Sequence, residues 1–257
     1  MSGILDIDHL MLGVADPDAA AADFIRLGFT VTPLSAMPQI GLANRCVLLT
    51  PAQNGAANYL ELLGHDPERA SPFMRALLGG DEGIKSLVLA ADDMDAAVAR
   101  LAACGAPPGD PLHIKRRWIL PDGEALDLAF TVATPALDAP PVYCNLCQHH
   151  TLHHYLRPEW RQHENGASSL VAVQVEADDP DGAIEWYARL FDRPRSVSIE
   201  GRRVVGARPR ATGFAVSVVD IGTTADVLAR NGVAFTRVAD RLTLSRRGVR
   251  IEFRPTA

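Results

Sequence analysis

The sequence predicts an α+β protein assembled from repeated βαβββ modules. Three observations lead there: a strand–turn–helix phrase at the start, its recurrence at fixed offsets, and short apolar runs with turn signals after each copy. The phrase is IDHLMLGVADPDAAAADFIRLGF, residues 7–29. It recurs as IKSLVLAADDMDAAVARLAACGA at an offset of 77, placing Asp93 on Asp16 and Gly105 on Gly28. A third copy, LVAVQVEADDPDGAIEWYARLF, lies at an offset of 163 and brings Asp179 onto Asp16. The fourth, FAVSVVDIGTTADVLARNGVAF, lies at 204, with Asp220 on Asp16 and Gly232 on Gly28.

Each element has a local cause. In the first strand Ile7, His9, Met11 and Gly13 alternate with Asp8, Leu10, Leu12 and Val14, so a strict period of two puts the two sets on opposite faces. Asp16 suits a helix N-cap and Pro17 the first turn, where its missing N–H costs nothing. Ala20, Phe24 and Leu27 give that helix an apolar stripe. Residues 29–33 and 44–50 read as strands, with SAMPQIGLA a loop between them; NYLELLG (58–64) is the last strand of the module. A short helical linker, DPERASPFMRALLGG, leads to module two: strand 84–91, helix 93–104, strands near 112–120 and 124–131, and VYCNLCQHH after a proline-rich break. Residues 149–167 read as a connector. The third module (169–210) is short, and the fourth (213–254) ends in RLTLS and VRIEF. The expected organisation is 1–135, a pair of modules; 136–167, a strand and a histidine-rich connector; and 168–257, a degenerate pair.

Composition narrows the class. With 257 residues, 47% hydrophobic and 22% charged, the chain can bury a full core. A net charge of −6 and no basic run argue against a nucleic-acid partner. No apolar run approaches the ~20 residues that span a bilayer, and no signal peptide is visible. Four cysteines in a chain this long form no disulfide framework, which points to a cytoplasmic protein. A small-molecule substrate and a second copy of the chain, as a homodimer, are the expected partners.

The D-H-L opening, followed by IGLANRCVLL, NYLELL and GIKSLVLAADDMDAAVARL, resembles the glyoxalase-like domain family of the vicinal oxygen chelate superfamily. The match covers roughly residues 5–165. The resemblance implies paired modules curled into half-open barrels, with a divalent metal ion (Zn, Ni, Mn or Fe) held by the first and last strands of each module. Carried over by position, His9 and Glu61 match the module-one ligands. Ser86 falls at the first-strand place of module two, and its last-strand place falls near Gln148. Ala172 and Gly213 hold the His9 place in the second half, where Glu252 alone resembles a ligand.

The residues make their own case for His9 and Glu61. A histidine and a carboxylate on interior strand faces need a partner, and a divalent metal satisfies both; a mutual hydrogen bond in a polar core is the plainer alternative. Beside them stands the imidazole-rich stretch HHTLHH (149–154). His149 and His150 lie at the strand end, and one of them is the candidate third ligand or general base. Strict alternation puts Gln148 and His150 on one face and His149 on the other, leaving the choice open. His153 and His154 read as solvated. Asn44 lies where the family carries a loop over its pocket and is a candidate substrate contact or a turn amide. Trp160 and His163 are candidates for the pocket mouth, Trp160 equally for an anchor; Trp118 and Trp186 read as packing residues. Cys144 and Cys147 face opposite ways on a strand and suit buried small hydrophobes.

Two function classes follow. In the first, a metal-assisted lyase or isomerase acts on a small oxygenated molecule, with Asn44, Ser86, Gln148, Trp160 and His163 around the substrate and His149 or His150 moving the proton. In the second, a non-catalytic protein sequesters a small molecule. An extradiol-type dioxygenase is a third reading, if a connector histidine completes two His and one Glu.

Overall fold

The structure is a computed structural model that describes residues 3–256. Module one consists of strand β1 (Ile4–Gly13), helix α1 (Pro17–Arg26), and strands β2 (Ser35–Met37), β3 (Leu42–Leu48) and β4 (Tyr59–His65). Helix α2 (Pro72–Leu78) leads to module two: β5 (Gly83–Ala91), α3 (Met94–Ala103), β6 (Leu112–Ile119), β7 (Ala125–Ala133) and β8 (Cys144–His149). Together these strands form one sheet in the order β2-β3-β4-β1-β5-β8-β7-β6. Within each module the first and last strands pair in parallel, β1 with β4 and β5 with β8, while β1 and β5 pair antiparallel. The two modules are thus related by an approximate two-fold, as the repeat requires.

The sheet curls until its edges approach. Trp118 Nε1 on β6 donates to Leu34 O at 3.0 Å, and Arg116 on β6 donates to Ser35 Oγ on β2. Side chains rather than a strand ladder bring these edges together, so the sheet is a nearly closed barrel around a hollow.

The second half repeats the theme with fewer strands. Strand β9 (Ala167–Ala177), helix α4 (Pro180–Ala188) and strand β10 (Ser198–Arg203) make a truncated third module. Strand β11 (Arg210–Val218), helix α5 (Ile221–Arg230) and strands β12 (Thr236–Val238), β13 (Arg241–Arg246) and β14 (Val249–Pro255) complete the fourth. The sheet order is β10-β9-β11-β14-β13-β12.

The four aspartates that mark the repeat all cap helices. Asp16 accepts from Asp18 N at 2.8 Å, Asp93 from Ala96 N at 3.0 Å, Asp179 from Gly182 N at 3.0 Å, and Asp220 from Gly222 N and Thr223 N at 3.0 Å each.

One stretch departs from the sequence reading. Residues 29–33 form no strand, and β2 lies inside the expected loop. Thr32 N reaches Cys46 O at 2.9 Å, but Pro33 has no N–H to continue a ladder. A 3₁₀ turn at Pro38–Ile40 then ends on Gly41 at φ 63°. A Cβ there would meet Ala70 N at 2.6 Å, so the turn needs glycine twice over.

One apolar core runs through both halves. It joins Ile7, Leu10, Leu12 and Phe24 to Val173, Phe214, Ile251 and Phe253, with Phe29 stacked on Phe253 at 5.9 Å between ring centroids. Tyr187 Oη donates to Val142 O at 2.6 Å, and Trp186 Nε1 to Cys104 O at 2.8 Å. A smaller cluster of Leu48, Tyr59, Trp118, Leu126, Leu128 and Trp160 packs at the barrel. Among the described residues no helix is long and apolar enough to cross a membrane.

Candidate active site

The hollow in the first sheet is a cavity of about 620 Å³. Its walls are largely apolar, with Met11, Leu63, Phe73, Val88, Trp118 and Phe130 among them; its polar groups include His9, Asn44, Tyr59, Glu61, Asn145 and His149. That mixture of apolar wall and few convergent polar groups is typical of small-molecule sites.

A break in strand alternation builds the polar part. Ile7 lies opposite Leu89 and His9 opposite Val88, so β1 spends two residues where β5 spends one. Asp8 is the extra residue of a β-bulge. The bulge leaves Ile7 in the core with Leu10 and Leu12 while Asp8 and His9 turn toward each other. Strict alternation put Asp8 on the face opposite His9, and the bulge overturns that expectation.

Asp8 is fully enclosed, and every bond it makes is specific. Its Oδ1 accepts from Ala57 N at 2.8 Å; its Oδ2 accepts from His9 Nδ1 at 2.7 Å and from His149 Nε2 at 2.9 Å. Burial alone would raise its pKa, but the imidazoles of His149 and His9 outweigh burial and hold the carboxyl well below the usual carboxylate range. One anionic oxygen therefore fixes the tautomer of two histidines, each with its Asp8-facing nitrogen protonated.

The other two ring nitrogens remain for chemistry. His9 Nε2 accepts from the Tyr59 hydroxyl at 3.3 Å and lies 3.7 Å from Glu61 Oε2. His149 Nδ1 is buried and has no hydrogen-bond partner among the described residues. Burial pushes the His149 pKa down, yet it ends well above its ordinary value. Asp8 supplies that rise, because the neighbouring Cys147 thiol is itself pushed up by burial and carries no charge near neutrality. Glu61 is oriented by Asn44 Nδ2 at 2.6 Å. Tyr59 stacks on His9 at 4.1 Å, and burial together with Asp8 and Glu61 raises its phenol well above the ordinary value.

The candidates from sequence therefore divide. His9, Glu61, Asn44 and His149 meet at one cavity. Ser86 is buried, with its Oγ donating to Asn145 Oδ1 at 2.7 Å, and Asn145 rather than Ser86 reaches the cavity. Gln148 and His150 face the other side of β8, as the period of two demands. Gln148 Nε2 donates to Asp92 O at 2.8 Å, and exposed His150 bonds Thr131 Oγ1 at 2.8 Å. Trp160 is buried against Trp118 at 5.4 Å and pins the connector instead of lining the cavity. His163 lies away from it too, accepting from Thr30 N at 3.0 Å and donating to Leu48 O at 2.9 Å.

Asp8, Tyr59 and Asn145 were missed in the sequence. The repeat offset held a signal for Asn145: Met11 pairs with Glu61, and Val88, 77 residues on from Met11, pairs with Asn145. Asn145, not Gln148, is therefore the two-fold mate of Glu61. Module two offers Ser86 and Asn145, already bonded to each other, where module one offers His9 and Glu61. In the fourth module Glu252 occupies the Glu61 place but is enclosed by Arg241 Nη1 at 3.0 Å, Arg254 Nε at 2.8 Å and Gln174 Nε2 at 3.0 Å. Gly213, at the His9 place, has no room for a side chain: a Cβ would lie 2.4 Å from Gln174 Oε1.

A family profile described as a glyoxalase-like domain matches residues 7–191. The chain belongs to the glyoxalase-like domain family. Two solved structures share the fold over nearly the whole chain. A hypothetical protein from Staphylococcus aureus superposes with a TM-score of 0.67 at 13% identity, covering 97% of this chain and 98% of that one. A mutant 4-hydroxymandelate synthase from Streptomyces coelicolor gives 0.61 at 16% identity, over 97% and 92%. A methylmalonyl-CoA epimerase variant from Streptomyces coelicolor gives 0.42 at 24% identity, over 58% and 99%. No curated protein sequence matches. Within this glyoxalase-like chain, Asp8, His9 and His149 place donor atoms within 4.8 Å of one another, a group that could hold a metal ion.

Proposed function

We propose that the cavity is the active site of a lyase- or isomerase-type enzyme that moves a proton on a small oxygenated organic molecule with the help of a divalent cation. One observation carries the reading: a single oxygen of Asp8 binds both His9 Nδ1 and His149 Nε2, leaving His9 Nε2 and His149 Nδ1 for the cavity. A carboxylate behind an imidazole is the arrangement that orients both metal-ligating and proton-transferring histidines.

The donor set fits a metal. His9 Nε2 keeps its lone pair because the ring proton sits on Nδ1, which donates to Asp8, and Glu61 is 3.7 Å away. Imidazole with carboxylate suits Zn, Mn, Ni or Fe. His9 and Glu61 would hold the cation, which supplies Lewis acidity at a substrate oxygen. His149 lines the cavity, its buried Nδ1 has no partner among the described residues and would exchange the proton, and Asp8 would balance the charge on the ring. Asn44 keeps the Glu61 carboxylate in place, and the apolar wall excludes water.

Metal analysis after gentle purification, with deuterium wash-in next to the carbonyl of 2-oxo acids and hydroxyketones, tests this. Exchange should fall about 10²- to 10⁴-fold in His149→Gln and vanish in His9→Ala. A protein without metal, indifferent to chelators and without exchange, overturns the scheme; if apolar compounds alone then raise the melting temperature, the cavity only binds.

The unpartnered His149 Nδ1 also favours a second reading. With His9 and Glu61 it makes two imidazoles and one carboxylate, a set suited to non-haem Fe(II) and dioxygen chemistry. Fe(II) loading under argon followed by oxygen-uptake measurements with aromatic substrates separates the two.

A further inference from the structure

Three cationic residues of β6 line the cavity, Lys115, Arg116 and Arg117, and the proposed chemistry uses none of them; Lys115 and Arg117 are exposed, and Arg116 is half-buried. Arg116, on β6, lines the same space as His9 and Glu61. Its guanidinium donates to Ser35 Oγ on β2, while its Nε is buried and has no hydrogen-bond partner. No carboxylate among the described residues lies within ion-pair distance of it. Its neighbours in sequence differ: Arg117 makes a two-pronged pair with Asp127 at 2.8 and 3.1 Å and is exposed, with 64% of its side-chain surface open. A guanidinium that lacks an anion inside an apolar hollow is unfavourable, and its forked geometry matches a carboxylate better than any other common group.

We propose that Arg116 is a specificity-determining residue that binds the carboxylate of an apolar organic acid, the substrate of this cavity. The placement also sets the length of the molecule. Arg116 bonds Ser35 on β2, Ser35 pairs with Asn44 on β3, and Asn44 bonds Glu61 on β4. The strands that anchor the two groups, β2 for Arg116 through Ser35 and β4 for Glu61, lie two strand spacings, about 10 Å, apart along the wall. The wall along those strands is apolar, with Leu42 and Leu48 on β3 and Leu63 on β4 lining the cavity. The acid that fits carries its carboxylate at one end, its oxygenated reacting centre at the other, and an aryl or alkyl body in between. The inference rests on the proposed function only in taking this cavity as the substrate site.

Calorimetric titration of the full chain with 4-phenylbutyrate, 4-phenylbutan-1-ol and 4-phenylbutyl phosphate tests it. The wild type should bind the carboxylate about tenfold or more tightly than the alcohol, the usual value of a hydrogen bond to a charged group. Arg116→Met should abolish that preference and leave alcohol binding in place; Arg116→Lys, which keeps the charge but not the fork, should retain part of it. Equal affinity for acid and alcohol in the wild type overturns the proposal, as does a preference that survives Arg116→Met. A stronger Arg116-dependent preference for the phosphate ester also overturns the carboxylate assignment. The same titrations in Asp8→Asn separate this inference from the catalytic reading: carboxylate preference should persist there even when proton exchange is lost.

Discussion

A carboxylate enclosed between two imidazoles is stable because each group keeps the others charged or aligned. Removing one strands the rest, so Asp8→Asn should lower stability in urea by about 3 kcal/mol near neutral pH. Its dependence on acid has a fixed sign. The folded pKa of Asp8 lies below the unfolded value near 3.9, so the unfolded chain binds the extra proton. The Asp8 contribution is complete above that value and drains away only as the pH falls below it. His163 acts in a different window. Burial lowers its pKa, and both ring nitrogens serve a neutral tautomer between Thr30 and Leu48. Between about pH 6.5 and 5 the unfolded state is the one that gains the proton, so stability should drop with acid in that range. His163→Gln should flatten the slope of melting temperature over those pH values. His149, raised by Asp8, works in the opposite sense: its folded form holds the proton more firmly than the unfolded chain, so its contribution is present below about pH 6.5 and is lost as the pH rises, and the His163 slope is read from the difference between wild type and His163→Gln.

Elements differ in how much of them could be read in advance. The four capping aspartates were legible because a cap is a local event, written within three residues of itself. Their strengths can be ranked. Asp220 accepts from two backbone N–H groups and the Thr223 hydroxyl, whereas Asp16 accepts from one backbone N–H. Asp220→Ala should therefore cost more stability than Asp16→Ala when both are followed by denaturant titration. The bulge at Asp8 was not legible, because a bulge is defined by the partner strand and no period along β1 reveals it. Arg116 escaped notice for a related reason: its contact with Ser35 spans 81 positions and depends on the two edges of the sheet meeting. Asn145 was displaced by counting, since 52 residues separate His9 from Glu61 but 59 separate Ser86 from Asn145. The loops of module two are longer, so only the strand register aligns the two pairs.

At the scale of the whole molecule the repeat is legible as architecture and illegible as chemistry. Four copies of one phrase gave two sheets, yet a ligand cavity is seen in the first. In the second half the same face carries Glu252 and its arginines, with glycine where module one has histidine. The halves nonetheless share one apolar core, with Phe29 meeting Phe253 across it, and should unfold as one body. Phe253→Ala should destabilise the chain by about 3–5 kcal/mol and keep a single transition, with fluorescence and far-ultraviolet circular dichroism superimposing. Two separated transitions would show that the halves melt apart.

The segment between the halves also touches the cavity. Leu152, Tyr155 and Leu156 line it, and a few residues further on Trp160 and His163 tie the same strip to the barrel. A guest in the barrel thus leans on the strap that fastens one half to the other. Occupancy should be felt at a distance: amide protons in the second sheet, far from any contact with the guest, should exchange more slowly once the barrel is filled.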